Sequence, residues 1–244
     1  MQAQPANVLF IIIMISTLNG MKRLFLILCL SASGFAETLP PAPQILEAAR
    51  AQLPPHPVVM KGTLKQRAAN GFVKQKLKVE MKLDWNAVTP NAEYKISNSK
   101  TKTVQSLKIE WKDGEAEYSF SKNGEKEEFI PHAEIENMGV TWSDLSFSFL
   151  WSPDAETLRT EKKFGKDYFV ISIPRPNDHQ LILKIEQKTG RMKGAEERDA
   201  NGKRAKVIKV VSVKDFDGLW MVKDLDIDQP EKDSFVRLRI DSLE

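Results

Sequence analysis

A chain of 244 residues with 41% hydrophobic and 28% charged residues is too apolar to remain disordered and suits a single soluble globular domain. The formal net charge of +3 falls to +1 without the leader cations Lys22 and Arg23, which gives no reason to expect a nucleic-acid partner. With one cysteine, Cys29, the chain can build no internal disulfide.

Two apolar runs, residues 8–16 and 24–30, flank Met21-Lys22-Arg23, and each is well short of the roughly 20 residues that span a bilayer. From Met21 onward a basic pair, an apolar stretch and Ser33-Gly34-Phe35-Ala36 follow one another, with small residues at the two positions a signal peptidase inspects. This predicts initiation at Met21 and cleavage after Ala36, so that residues 1–36 are a signal region and 37–244 a single domain. An uncleaved anchor built from both runs is the alternative. Cys29 follows Leu28, where a lipoprotein would carry a small residue, so the mature chain is expected to lack a thiol.

After Pro40-Pro41-Ala42-Pro43, residues 44–53 place Leu46, Ala49 and Leu53 at helical spacing, and Pro54-Pro55 ends the segment. Strands are predicted at 58–66 and 73–85. In the second, Val73, Leu77, Val79, Met81, Leu83 and Trp85 share one face and Lys74, Lys76, Lys78, Glu80, Lys82 and Asp84 the other. The lysines read as a solvated exterior or a guard against edge pairing, with contact to anionic headgroups as the rarer alternative. Strands at 92–97, 103–112 and 115–121 carry Tyr94 and Ile96, then Leu107, Ile109 and Trp111, then Tyr118 and Phe120, with a turn at Asp113-Gly114.

Residues 139–151 break this alternation; Ser143 is placed to cap a short helix and Asp144 to support its N-terminus. A hairpin at 157–163 and 167–173 turns at Gly165. A meander over residues 180–227 then turns at Gly190, Gly202 and Gly218, and a last strand covers 234–243. Within the meander Leu181, Leu183 and Ile185 alternate with polar neighbours. Leu219, Met221, Leu225 and Ile227 keep the same spacing, interrupted by Lys223. About eleven strands with one apolar face each, and only two or three helical pieces, must close into a barrel or curl around something. The prediction is a mainly β (α+β) fold, a curved antiparallel half-barrel with short helices covering an apolar concave face.

There is no Gly-rich phosphate loop, Cys/His ligand set or Gly-x-Ser-x-Gly elbow. His56, His132 and His179 are far apart and read as surface-loop residues. Asp144 lacks the partners a catalytic carboxylate requires. No catalytic residue, metal site or cofactor is therefore expected, and the chain is not expected to be an enzyme. Trp142, Leu145, Phe147, Phe149, Leu150 and Trp151 are candidates for a lid or pocket rim, and Trp85, Tyr94, Trp111 and Phe120 for a ligand cavity. Core and pocket lining look alike in sequence, so both readings of these ten residues stand.

A signal peptide, a short helix and a long meander come in an order that resembles the bacterial outer-membrane lipoprotein-sorting proteins, the LolA/LolB-like group. The resemblance extends to the segment from Trp142-Ser143-Asp144-Leu145 to Phe149-Leu150-Trp151, then Asp217-Gly218-Leu219-Trp220 and Arg237-Leu238-Arg239-Ile240. It covers about residues 43–243. It implies a half-barrel with helices as a lid over an apolar cavity. It also implies a monomeric periplasmic carrier or chaperone that takes up the acyl chains of lipoproteins, or related lipids, between donor and acceptor proteins of the two membranes. Related half-barrels serve as periplasmic sensors that bind envelope lipid or peptide ligands and a membrane partner. Those normally carry a further C-terminal domain, and the sequence ends at Glu244 with the meander, which ranks the carrier first.

Overall fold

The computed structural model describes residues 39–244 apart from 113, 114 and 217, and the side chains of 219 and 220 are left undescribed. The predicted start at Met21, the cleavage after Ala36, Cys29 and the Asp113-Gly114 turn lie outside the described residues. Thirteen strands form one antiparallel sheet: β1 (Val58–Ala68), β2 (Val73–Asp84), β3 (Asn91–Asn98), β4 (Thr103–Lys112), β5 (Glu115–Lys122), β6 (Glu125–Glu127), β7 (Glu156–Lys163), β8 (Lys166–Pro174), β9 (Gln180–Glu186), β10 (Met192–Arg198), β11 (Arg204–Phe216), β12 (Leu219–Gln229) and β13 (Ser234–Leu243). The expected number was about eleven. The short β6 is Glu125-Lys126-Glu127 and offers periodicity no apolar side chain to register.

The strand order is β6-β5-β4-β3-β2-β1-β13-β12-β11-β10-β9-β8-β7. The first and last strands pair at the centre, and the two edges, β6 and β7, are consecutive in the chain. Residues 128–155 must therefore cross from one edge of the open sheet to the other. They do so over its concave face, as a plug that buries Ile135, Met138, Val140, Trp142, Leu145, Phe149 and Leu150 against the inward side chains of the strands. The burial of these residues follows from the connectivity, because the sheet leaves its inner face uncovered until this segment passes over it.

Strand alternation divides the faces as predicted except at Val73, expected on the apolar face but exposed at the start of the strand. Leu77, Val79, Met81 and Leu83 are buried on β2 while Lys74, Lys76, Lys78 and Lys82 are exposed. The edge-guard reading of those lysines fails, because β2 lies between β1 and β3 inside the sheet. The true edges are kept short or charged, β6 with its three charged residues and β7 with the sequence ETLRTEKK, which discourages pairing with another chain.

The first helix, α1 (Ala42–Arg50), starts two residues before the predicted segment and ends three before its last residue. Proline is tolerated in the first turn, where its missing N–H has no intrahelical partner anyway, so the proline-rich run enters the helix. The second helix, α2 (Trp142–Ser146), is capped by Thr141 rather than Ser143. The Thr141 hydroxyl accepts from the Asp144 N–H at 3.2 Å, and the Asp144 carboxylate accepts from the Thr141 N–H at 2.9 Å. A capping box needs its hydroxyl three residues before the carboxylate, and Ser143 stands only one before it.

Candidate functional site

The inward faces of β1, β2, β3, β11, β12 and β13 carry Met60, Met81, Leu83, Tyr94, Val210, Leu225, Leu238 and Ile240. Between them, the end of α1 and the plug, the side chains leave a cavity of about 290 Å³. The helix side supplies Ala49, Gln52, Leu53 and Pro54, and the plug supplies Leu145, Ser146, Phe147, Leu150 and Trp151. Among the described residues, only Gln52, Ser146, Arg191 and Lys223 bring polar side chains to the wall, apart from the Tyr94 hydroxyl and the Trp85 and Trp151 indoles.

The mouth is shaped by the hairpin of β11 and β12, which runs past its neighbours. Pairing with β10 reaches only Lys209 and pairing with β13 only Asp224, whereas β11 and β12 pair with each other as far as Phe216 and Leu219. Two register shifts, at Val210/Ser212 and Ser212/Val213, bend this ribbon, as bulges do. Val213 lines the cavity yet remains 54% exposed, so the apolar wall continues outward to solvent.

Six of the ten predicted residues, Trp85, Tyr94, Leu145, Phe147, Leu150 and Trp151, line this cavity. Trp85 and Trp151 stack at 5.0 Å between ring centroids, and Trp111 backs them, 4.4 Å from Trp151. The Trp85 and Trp111 indole N–H groups are buried without a partner among the described residues. Arg50 of α1 closes this end, its guanidinium 5.7 Å above Trp151 and donating to the Leu150 carbonyl at 2.6 Å. Burial pushes the Tyr94 hydroxyl well above its ordinary pKa and keeps it neutral, with a long 3.5 Å contact to the Ser146 carbonyl.

The remaining three lie elsewhere. Phe120 and Trp142 meet edge to face at 5.7 Å beside Phe129, and Phe149 is buried between Phe147 and the Arg175 guanidinium. The aliphatic wall of Met60, Met81, Met221, Leu225 and Leu238 was absent from the predicted site. Its only signal was the inward alternation that every core strand also carries.

A second concavity of about 320 Å³ is polar, lined by His132, Glu134, Thr141 and Asp144 of the plug, Arg175 and His179 of the β8–β9 turn, Glu197, Lys206 and Gln229. The histidines read as isolated loop residues are thus gathered here, although His56 is not; His179 Nδ1 is 2.8 Å from Glu197. Asp144 and Lys206 form an ion pair at 2.6 Å with side chains only 2% and 13% exposed, tying α2 to β11. The Arg175 guanidinium donates to Ser143 Oγ at 2.9 Å, and burial lowers its pKa against the opposing pull of Asp144 and Glu197. Burial first, and Arg175 second, also hold His132 below the ordinary histidine range. Among the described residues no three His, Cys, Asp or Glu side chains form a group able to hold a metal ion.

An unclosed, curved antiparallel sheet, plugged on its concave side around an apolar cavity, defines the class as a mainly β half-barrel. Solved structures with this architecture include a LolA superfamily protein from Nitrosomonas europaea, at 14% identity over 84% of this chain and 94% of that one with a TM-score of 0.64. They include a structure described as an outer membrane lipoprotein-sorting protein domain from Vibrio parahaemolyticus, at 12% identity over 83% and 91% with a TM-score of 0.65. A DUF1329 family protein from Desulfovibrio piger matches at 10% identity over 83% and 91%, also with a TM-score of 0.65. The fold is therefore LolA-like. No family model matches the sequence, and no curated protein matches it.

Proposed function

We propose that this chain is a periplasmic carrier that shelters the acyl chain of a lipoprotein or related lipid in the cavity beneath the plug. The observation that carries the reading is the apolar space of about 290 Å³ at the centre of a LolA-like sheet, open along the β11–β12 hairpin. That space equals about ten volumes of roughly 30 Å³, the share of one water molecule and close to that of a methylene. Burying about ten methylenes at ~0.8 kcal/mol each contributes on the order of 8 kcal/mol, comparable to micromolar binding before ordering costs are subtracted. Release then calls for an equally apolar acceptor, which suits transfer between proteins and needs no covalent step.

Export by the predicted signal region fits the same reading, and among the described residues no helix is long and apolar enough to cross a membrane. Native mass spectrometry of protein purified from a periplasmic extract tests it. A copurifying lipid or lipoprotein supports the carrier. Repeated recovery of empty protein together with a signalling partner would replace it with the sensor.

A further inference from the structure

We infer that the cavity takes a single-chain amphiphile with an oxyanion head, a carboxylate or phosphate, and that Lys223 with Arg191 receives this head at the mouth. The inference rests on the carrier reading and narrows its ligand to the related lipids, because the acyl chain of a lipoprotein is bound through a neutral ester or amide and brings no oxyanion.

Lys223 is the residue that interrupts the apolar face of β12. Met221 before it and Leu225 after it both line the cavity, and so does Lys223 itself. A lysine on a strand is ordinarily placed on the wet face, yet Lys223 is among the residues that line the cavity, with Val222 beside it. Ser212 pairs with Asp224 and Val213 with Val222, so Lys223 is the extra residue of a bulge, a device that re-aims a side chain. It is half-buried on the wall, and Arg191, just before β10, is exposed at the rim.

Other cations of these strands are paired within the protein, Lys206 with Asp144, Lys209 with Asp228 and Arg237 with Asp226, and Arg50 at the far end is committed to the Leu150 carbonyl and the Trp151 ring. Lys223 has no ion-pair partner among the described residues, Arg191 is balanced only through space by Glu186, and no acidic side chain among the described residues lines the cavity. An unpaired ammonium and a guanidinium held in no direct ion pair thus stand where a greasy channel meets water. There the attraction of an anion exceeds its value in bulk solvent, while the lysine stem lies along the apolar wall. The cavity volume, about 290 Å³, holds one chain of about ten methylenes on the measure used above. An uncharged head could accept a hydrogen bond from either cation but would gain none of the charge–charge attraction.

The test is calorimetric titration of the full chain at pH 8 and low salt with dodecanoate, dodecyl phosphate and 1-dodecanol, each below its aggregation limit. At least one anionic chain should bind ten or more times as tightly as the alcohol, and the more favoured head identifies the natural source as a fatty acid or a single-chain phosphate ester. Lys223→Met should keep the alcohol's affinity and cut the anionic advantage to below threefold; Lys223→Gln repeats this with a polar isostere, and Arg191→Met should remove what remains. Equal binding of all three chains by the wild type would overturn the oxyanion head and leave the carrier standing. Failure of every chain to bind would overturn the carrier as well. An anionic preference that survives in the Lys223→Met/Arg191→Met double variant, folded by circular dichroism, would overturn the assignment to these side chains.

Discussion

Replacing Lys206 with methionine should loosen the plug from the sheet. Asp144 would keep the Thr141 N–H at 2.9 Å but lose the ammonium at 2.6 Å, leaving a carboxylate that is 2% exposed without its nearest counter-charge. Breaking a buried pair from one side costs about 3–5 kcal/mol. The lower end applies here, since the Arg175 guanidinium also acts on Asp144 and Lys206 is not fully sealed. For a domain of this size about 3 kcal/mol lowers Tm by roughly 6–12 °C. The double variant Lys206→Met/Asp144→Asn should recover part of this loss, because the amide oxygen can still accept the capping hydrogen bond and no charge is stranded. Thermal melts of the three proteins at pH 7, followed by circular dichroism, measure both effects. A Lys206→Met melt within about 2 °C of the wild type, or a double variant less stable than the single one, would refute the reasoning.

Two other perturbations probe the sheet and the polar concavity. Gly62 sits at the β1–β13 register shift, where a Cβ would come within 2.2 Å of the Arg239 carbonyl oxygen; Gly62→Ala should cost about 3 kcal/mol, the upper end for overpacking, and unchanged urea unfolding would show that the strands yield freely. His132 is held below its ordinary pKa by burial and Arg175, with Lys206 adding to the effect and Asp144 and Glu197 opposing it. The unfolded chain therefore binds this proton first, and stability falls as pH drops from about 6.5 toward the native value. His132→Gln should flatten that part of the Tm–pH profile between pH 5 and 7, and parallel profiles for the two proteins would contradict the assignment.

The curved sheet was legible because its signal is local. Alternation on residues 73–85 and glycine turns at 190, 202 and 218 each report a strand or hairpin without reference to any partner. The cavity was legible only in part, since alternation says which side chains point inward and not which of them fail to meet. Trp85 and Trp151 were both candidates, yet their stacking at 5.0 Å depends on the plug's path from one sheet edge to the other. Phe120 and Trp142 carry the same apolar signal and pack together away from the cavity. The polar concavity escaped because His132, Arg175, Glu197 and Lys206 come from separate turns and strands with no spacing to connect them. Lys223 was visible as a break in a pattern, and its meaning waited on knowing what that face lines.

Whether the sheet holds a guest can be measured most directly by tryptophan quenching with a brominated acyl chain, because bromine acts only at close range and Trp85 and Trp151 line the cavity. The account predicts saturable quenching at one chain per protein, largely lost in Trp85→Phe/Trp111→Phe/Trp151→Phe, since Trp111 lies 5.1 Å from Trp85 and 4.4 Å from Trp151, and retained in Trp142→Phe. Quenching that never saturates, or that the triple variant retains in full, would contradict an interior built to admit a lipid tail.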